Sequence, residues 1–136
     1  MILHTFISIL AASNLSAPLE GPVLARIERV VDGDTVRVSA DVWIDQSISV
    51  SVRVAGVDAP ELFRPKCDAE KARARAAKTF VADFLGDDTV RLYDIRRGKY
   101  AGRVVARIET ADGRDLGAAL AEADHAVYGD RGKWCE

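Results

Sequence analysis

With 136 residues, the chain is long enough to bury one hydrophobic core and too short for two. Its 49% hydrophobic and 29% charged residues exclude a low-complexity or disordered chain and fit a soluble globular domain. A formal net charge of -2 excludes the overall basic signature of many nucleic-acid binders, but the charge is unevenly spread. From Arg64 to Lys78 there are six basic residues against two acidic, and from Arg91 to Arg107 six against one. These stretches are either a local phosphate-attracting patch or a pair of solvated faces.

The first 17 residues carry no Lys, Arg, Asp or Glu. Ile2 to Ala12 is apolar enough for the hydrophobic region of a signal peptide, and Ala11-Ala12-Ser13 offers small residues for cleavage, although no basic segment precedes them. Pro18 disfavours a cut directly after Ala17. The segment is too short to span a bilayer as a helix of roughly 20 residues. Residues 1–17 are therefore expected to be a leader and residues 18–136 the mature domain, exported to the periplasm or beyond, with no stable membrane association. Without cleavage the segment is an amino-terminal extension of a cytoplasmic protein. The two cysteines, Cys67 and Cys135, fit export: they either pair, at a stabilisation of about 4 kcal/mol for so long a loop, or remain free thiols. There is neither a CxxC nor a Cys/His cluster to suggest zinc.

Val23 to Val31 is rich in branched residues and reads as a first strand, stopped by Asp32-Gly33-Asp34, a strong hairpin signal. Thr35 to Ala40 continues as a second strand. Ile48, Val50, Val52 and Val54 alternate with Ser47, Ser49, Ser51 and Arg53, a half-buried strand of period two that sets Arg53 on the face opposite the valines. The strand breaks at Pro60, with Asp58 and Glu61 close behind Arg53. Asp68 reads as the N-cap of a helix ended by Gly86, with Ala69, Ala72, Ala76, Phe80 and Phe84 as its packed face. Thr89 to Ile95 and Arg103 to Ile108 are two further strands around a basic, glycine-bearing loop. Val104, Ala106 and Ile108 face inward there, and Arg103 and Arg107 outward. Leu116 to Ala123 is a short helix, and His125 reads as a surface residue.

Three strands, a helix, two strands and a helix describe a small, closed or nearly closed antiparallel barrel. The five-stranded oligonucleotide/oligosaccharide-binding (OB) fold, with its helix after strand three, has this order. The expected class is thus a β-barrel with helices, α+β, ending in a short carboxyl-terminal helix.

Three segments then carry a resemblance. Val31-Asp32-Gly33-Asp34-Thr35-Val36, Arg53 to Glu61, and Lys99-Tyr100-Ala101-Gly102-Arg103 resemble, in this order and spacing, the signature segments of the staphylococcal (thermo)nuclease family. The similarity covers roughly Val23 to Tyr128. It implies that Asp34 and Asp58 are Ca²⁺-binding carboxylates and that Ala59 lends a backbone carbonyl, ligands suited to a cation taking six to eight oxygens. Asp32 is then an acid that orients ligands from outside the metal's own shell, or simply a turn former. By the same resemblance Glu61 activates the attacking water, Arg53 and Arg103 grip phosphate, and Lys99, Tyr100 and Tyr128 line the nucleotide pocket. The loop is one residue longer between Tyr100 and Arg103 than in the best-known member, and that member's last helix is mostly missing.

The implied activity is a monomeric, calcium-dependent endonuclease with little sequence preference. It acts on single-stranded or frayed DNA and RNA, cutting on the 5′-oxygen side to leave 3′-phosphate ends. The competing expectation is a non-catalytic nucleic-acid-binding barrel, since fold does not fix function. Retention of Asp34, Arg53, Asp58, Glu61 and Arg103 favours the enzyme. An oligosaccharide binder would call for more exposed aromatics than Trp43, Tyr100 and Tyr128.

Overall fold

The structure, a computed structural model, describes residues 17–87 and 89–136. The expected leader, with His4, therefore lies outside the described residues except for Ala17. Among the described residues no helix is long and apolar enough to cross a membrane.

Alternating residues build the barrel. Strands β1 (Val23–Asp32), β2 (Thr35–Trp43) and β3 (Gln46–Val54) follow one another as two hairpins. On β2 and β3 the inward residues meet as direct cross-strand pairs, Val36 with Val52 and Val38 with Val50, all buried. Each such valine contributes about 1.5–3 kcal/mol on leaving water. A two-residue strand β4 (Val57–Asp58) leads to helix α1 (Asp68–Leu85), then come β5 (Thr89–Arg97) and β6 (Arg103–Thr110). Helix α2 (Leu116–Glu122) and a last short strand β7 (Val127–Tyr128) complete the order.

The five long strands close in the order β1-β2-β3-β6-β5, with β5 pairing back onto β1. This is a closed five-stranded barrel with two helices, an OB-like α+β fold. It is mixed rather than wholly antiparallel, because β3 and β6 run parallel, with Ser51 beside Arg103 and Val54 beside Ala106. Hairpins dictate antiparallel neighbours. The seam between β3 and β6 instead closes after the crossover through α1, so its direction is free of that rule.

Two readings of α1 are corrected. The N-cap is Cys67, not Asp68: the Cys67 Sγ accepts a hydrogen bond from the Glu70 amide at 3.3 Å. The buried face is Glu70, Ala74, Ala77, Val81 and Leu85, while Ala69, Ala72 and Ala76 are exposed and Phe80 and Phe84 half-buried. Contact with the β1–β2 turn selects the face. A Cβ on Gly33 would come within 2.8 Å of the Ala77 Cβ and 3.0 Å of the Ala59 Cβ, so only glycine and alanine let helix and turn approach. His125 is likewise not a surface residue; it is half-buried, its ring 4.8 Å from that of Phe80.

Candidate active site

The acidic half of the site begins where β1 turns into β2. Asp32 and Asp34 are both buried, and Asp32 Oδ1 accepts the Asp34 amide at 3.2 Å. Asp34 is held on three sides. Its Oδ1 accepts the Thr35 hydroxyl at 3.1 Å, its Oδ2 accepts the Ala59 amide at 2.9 Å, and Arg53 Nη1 lies 2.9 Å from Oδ2. Arg53 reaches this spot because β3 pairs Arg53 with Thr35 and its alternation turns the side chain off the valine face. The same guanidinium lies 3.6 Å from Asp58 Oδ1. Its Nη1 is close enough to Asp34 for an ion pair but off the line of a hydrogen bond, so this buried nitrogen has no hydrogen-bond acceptor among the described residues.

Asp58 and Glu61 follow on the segment after β3. Strand β4 pairs with β7, Asp58 beside Val127, and the Asp58 Oδ2 accepts the Gly132 amide at 2.8 Å. The tail is fastened further by a disulfide between Cys67 and Cys135, the pairing expected for an exported chain. Glu61 is exposed at the cleft rim, but its backbone is anchored. Glu70, buried in the first turn of α1, accepts the Glu61 amide on Oε2 at 3.1 Å and the Lys66 amide on Oε1 at 2.7 Å.

Glu70 and Gly132 were not among the residues singled out from the sequence. Cys67-Asp68-Ala69-Glu70 does have capping-box spacing, with a glutamate three residues after the cap, and that signal points to Glu70. Here the glutamate reaches beyond the cap to the preceding loop. Nothing local marks Gly132, which lies 74 residues from its partner.

Across the cleft stands the β5–β6 turn. Arg103 sits beside Ser51 on the parallel seam, its Nη1 donates to the Tyr100 hydroxyl at 3.3 Å, and its guanidinium carbon lies 5.4 Å from the Tyr100 ring centroid. The buried Arg103 Nε has no acceptor among the described residues. Arg53, Asp58, Glu61, Lys99, Arg103, Gly129 and Asp130 share one cleft of about 600 Å³. Of the residues expected from the sequence, Arg53, Asp58, Glu61, Lys99 and Arg103 line this cleft, while Asp32, Asp34 and Ala59 are buried and reach it only through the contact of Asp34 with Arg53. Tyr100 lines a neighbouring groove that shares Arg103, and Tyr128 lines a separate hollow with Arg96 and Arg107.

Crowding of the acids shows in their titration. Burial first, then the charge of Asp34, push the Asp32 carboxyl up from 3.8 to about 7. Glu61 is also raised: desolvation leads, the charges of Asp34, Asp58 and Glu70 add, and Arg53 opposes. Carboxylates crowded in this way, with only oxygen donors at hand, fit a hard divalent cation. Among the described residues no three His, Cys, Asp or Glu side chains are gathered into a cage. Asp34 and Asp58 would therefore need backbone, water or substrate oxygens beside them. No family model matches the chain, and no curated protein is similar to it in sequence.

Proposed function

We propose that the protein is a calcium-dependent phosphodiesterase that hydrolyses DNA and RNA with little sequence preference, leaving 3′-phosphate ends. One observation carries this reading. Two guanidiniums, Arg53 and Arg103, flank the same cleft as Asp58 and Glu61, and Arg53 ties that cleft to Asp34. The forked N–H groups of two arginines match the non-bridging oxygens of a phosphodiester. The three sequence segments that resemble the staphylococcal nuclease family add the cleavage side and the choice of cation.

Asp34 and Asp58, with the Ala59 carbonyl, would hold Ca²⁺, which when bound would supply a Lewis acid that neutralises phosphate charge. Arg53 and Arg103 hold the non-bridging oxygens and stabilise the charge that grows on them as water adds to phosphorus and the 5′-oxygen departs, taking its proton from solvent. Glu61, its backbone pinned by Glu70, takes a proton from that water on a carboxylate oxygen; burial and the neighbouring acids raise its affinity for that proton. Lys99 and Tyr100 steady the adjoining nucleotide. The protein is monomeric and exported in this reading.

A second reading has its own support. Because Arg53 already lies 2.9 Å from Asp34 and 3.6 Å from Asp58, the acids are partly neutralised without any ion, as in a binding barrel that performs no chemistry. Incubating the mature protein with single-stranded DNA in Ca²⁺ and then in chelator separates the two. Cleavage confined to Ca²⁺, and reduced about 10²- to 10⁴-fold by Glu61→Gln, is expected of the enzyme. Binding without cleavage in either buffer would establish the non-catalytic module.

A further inference from the structure

Beyond the cleft, the loop that carries Glu61 continues onto a second surface. Phe63, two residues after Glu61, is 69% exposed. It borders a shallow hollow of about 650 Å³ whose other walls are Leu62, Lys71, Arg75, Lys78 and Thr79. Lys71, Arg75 and Lys78 stand at helical spacing i, i+4, i+7, the row next to the buried Glu70, Ala74 and Ala77. They span about 10 Å of α1. None of the three makes a salt bridge among the described residues, although ten such pairs brace other charges of the molecule.

An aromatic ring held out in water beside an unpaired cationic row is an arrangement that stacks a base and tracks a backbone. The anchoring of Glu61 by Glu70 also fixes the start of the loop that presents Phe63, so cleft and row keep a constant relation. We infer that the α1 row and Phe63 form an extended subsite for single-stranded nucleic acid, leading a long strand to or from the cleft. This subsite rests on the nuclease reading for its biological purpose, but not for its physical test. It also resolves the conflict between an acidic protein and a polyanionic ligand, because the positive field is local.

The test is binding in excess chelator, where no cleavage is expected, using a labelled oligothymidylate of about 20 nucleotides, enough for one barrel and its flank. Lys71→Ala/Arg75→Ala/Lys78→Ala should weaken binding at least tenfold at low salt. It should also flatten the slope of log affinity against log salt by about 2, at about 0.7 per phosphate contact for three contacts. Phe63→Ala should weaken binding about tenfold and leave that slope unchanged. A control that removes as much charge elsewhere, Arg26→Ala/Arg29→Ala/Arg91→Ala, should move affinity far less.

Equal loss in the control and the row variant would overturn the subsite, and so would unchanged binding in the row variant. Row-dependent binding to phosphatidylcholine–phosphatidylserine vesicles that exceeds oligonucleotide binding would overturn it in favour of a membrane surface. In Ca²⁺, a dinucleotide should be cleaved equally well by wild type and row variant, and the long strand more slowly by the variant. Absence of all cleavage by wild type would defeat the nuclease reading alone, since the binding arm is read without it.

Discussion

The two walls of the cleft are held in very different ways. On the acidic wall, Asp34 has three partners, Asp58 is clasped by the Gly132 amide, and a buried glutamate grips the backbone of Glu61. On the opposite wall, Tyr100 is 61% exposed and the chief brace of Arg103 is that same tyrosine. In the proposed reaction, the groups that would hold a cation and a base are thus positioned before any ligand arrives, and those that would meet a ligand of variable sequence are left to be completed by it. Preorganisation on the fixed wall would spare reorganisation at the reacting centre, and adaptability on the other wall would suit a broad range of bases.

Removing the brace on the acidic wall should have the largest effect. Cys67→Ser/Cys135→Ser opens a disulfide of sequence separation 68 and is expected to lower unfolding free energy by about 4 kcal/mol in the chain-entropy model. Urea unfolding measures this, and a loss below about 1 kcal/mol would mean that the tail braces nothing.

The two arginines compare the walls directly. Arg53→Ala strips the partner from two carboxylates and should cost about 3 kcal/mol of stability as well as activity. Arg103→Ala should reduce cleavage about 10²-fold or more while melting within about 0.5 kcal/mol of wild type. Equal melting losses from the two substitutions would erase the contrast.

The smallest expected effect concerns Asp32. Its folded-state affinity for a proton, raised to about 7 from 3.8, makes its contribution to stability complete below about pH 4 and lost as the pH climbs towards 7. In metal-free buffer Asp32→Asn should therefore change little at pH 4 and gain about 2 kcal/mol at pH 8. A gain of the same size at both pH values would show that the carboxyl is not protonated by its surroundings.

Legibility of the sequence followed the range of the interactions. Period-two alternation places Arg53 opposite Val52 and Val54, and Asp-Gly-Asp marks a turn, because both depend on neighbours along the chain. The packed face of α1 was misread for two physical reasons. Alanines occur all round that helix, so hydrophobicity does not distinguish one stripe, and its most functional inward residue, Glu70, has a charge that ordinarily marks an outer face. The direction of β6 beside β3 and the reach of Gly132 to Asp58 depend on how distant segments meet, and no local spacing encodes either. Nor does a run of basic residues reveal which are already engaged. Arg107 is spent on Glu109 and stacked on Tyr93, whereas Lys71, Arg75 and Lys78 have no acidic partner among the described residues.

The bond between Cys67 and Cys135 has a consequence outside stability. Lys99 and Tyr100, in an exposed turn, lie between the two cysteines in the chain. A protease that nicks the turn there separates the peptide after residue 99 from the peptide before it, yet the sulfur bridge still joins them. Arg53, Asp58 and Glu61 then stay on one fragment and Arg103 on the other, within a single covalent molecule that only a reductant can divide. One cut at this exposed turn therefore leaves the covalent molecule whole.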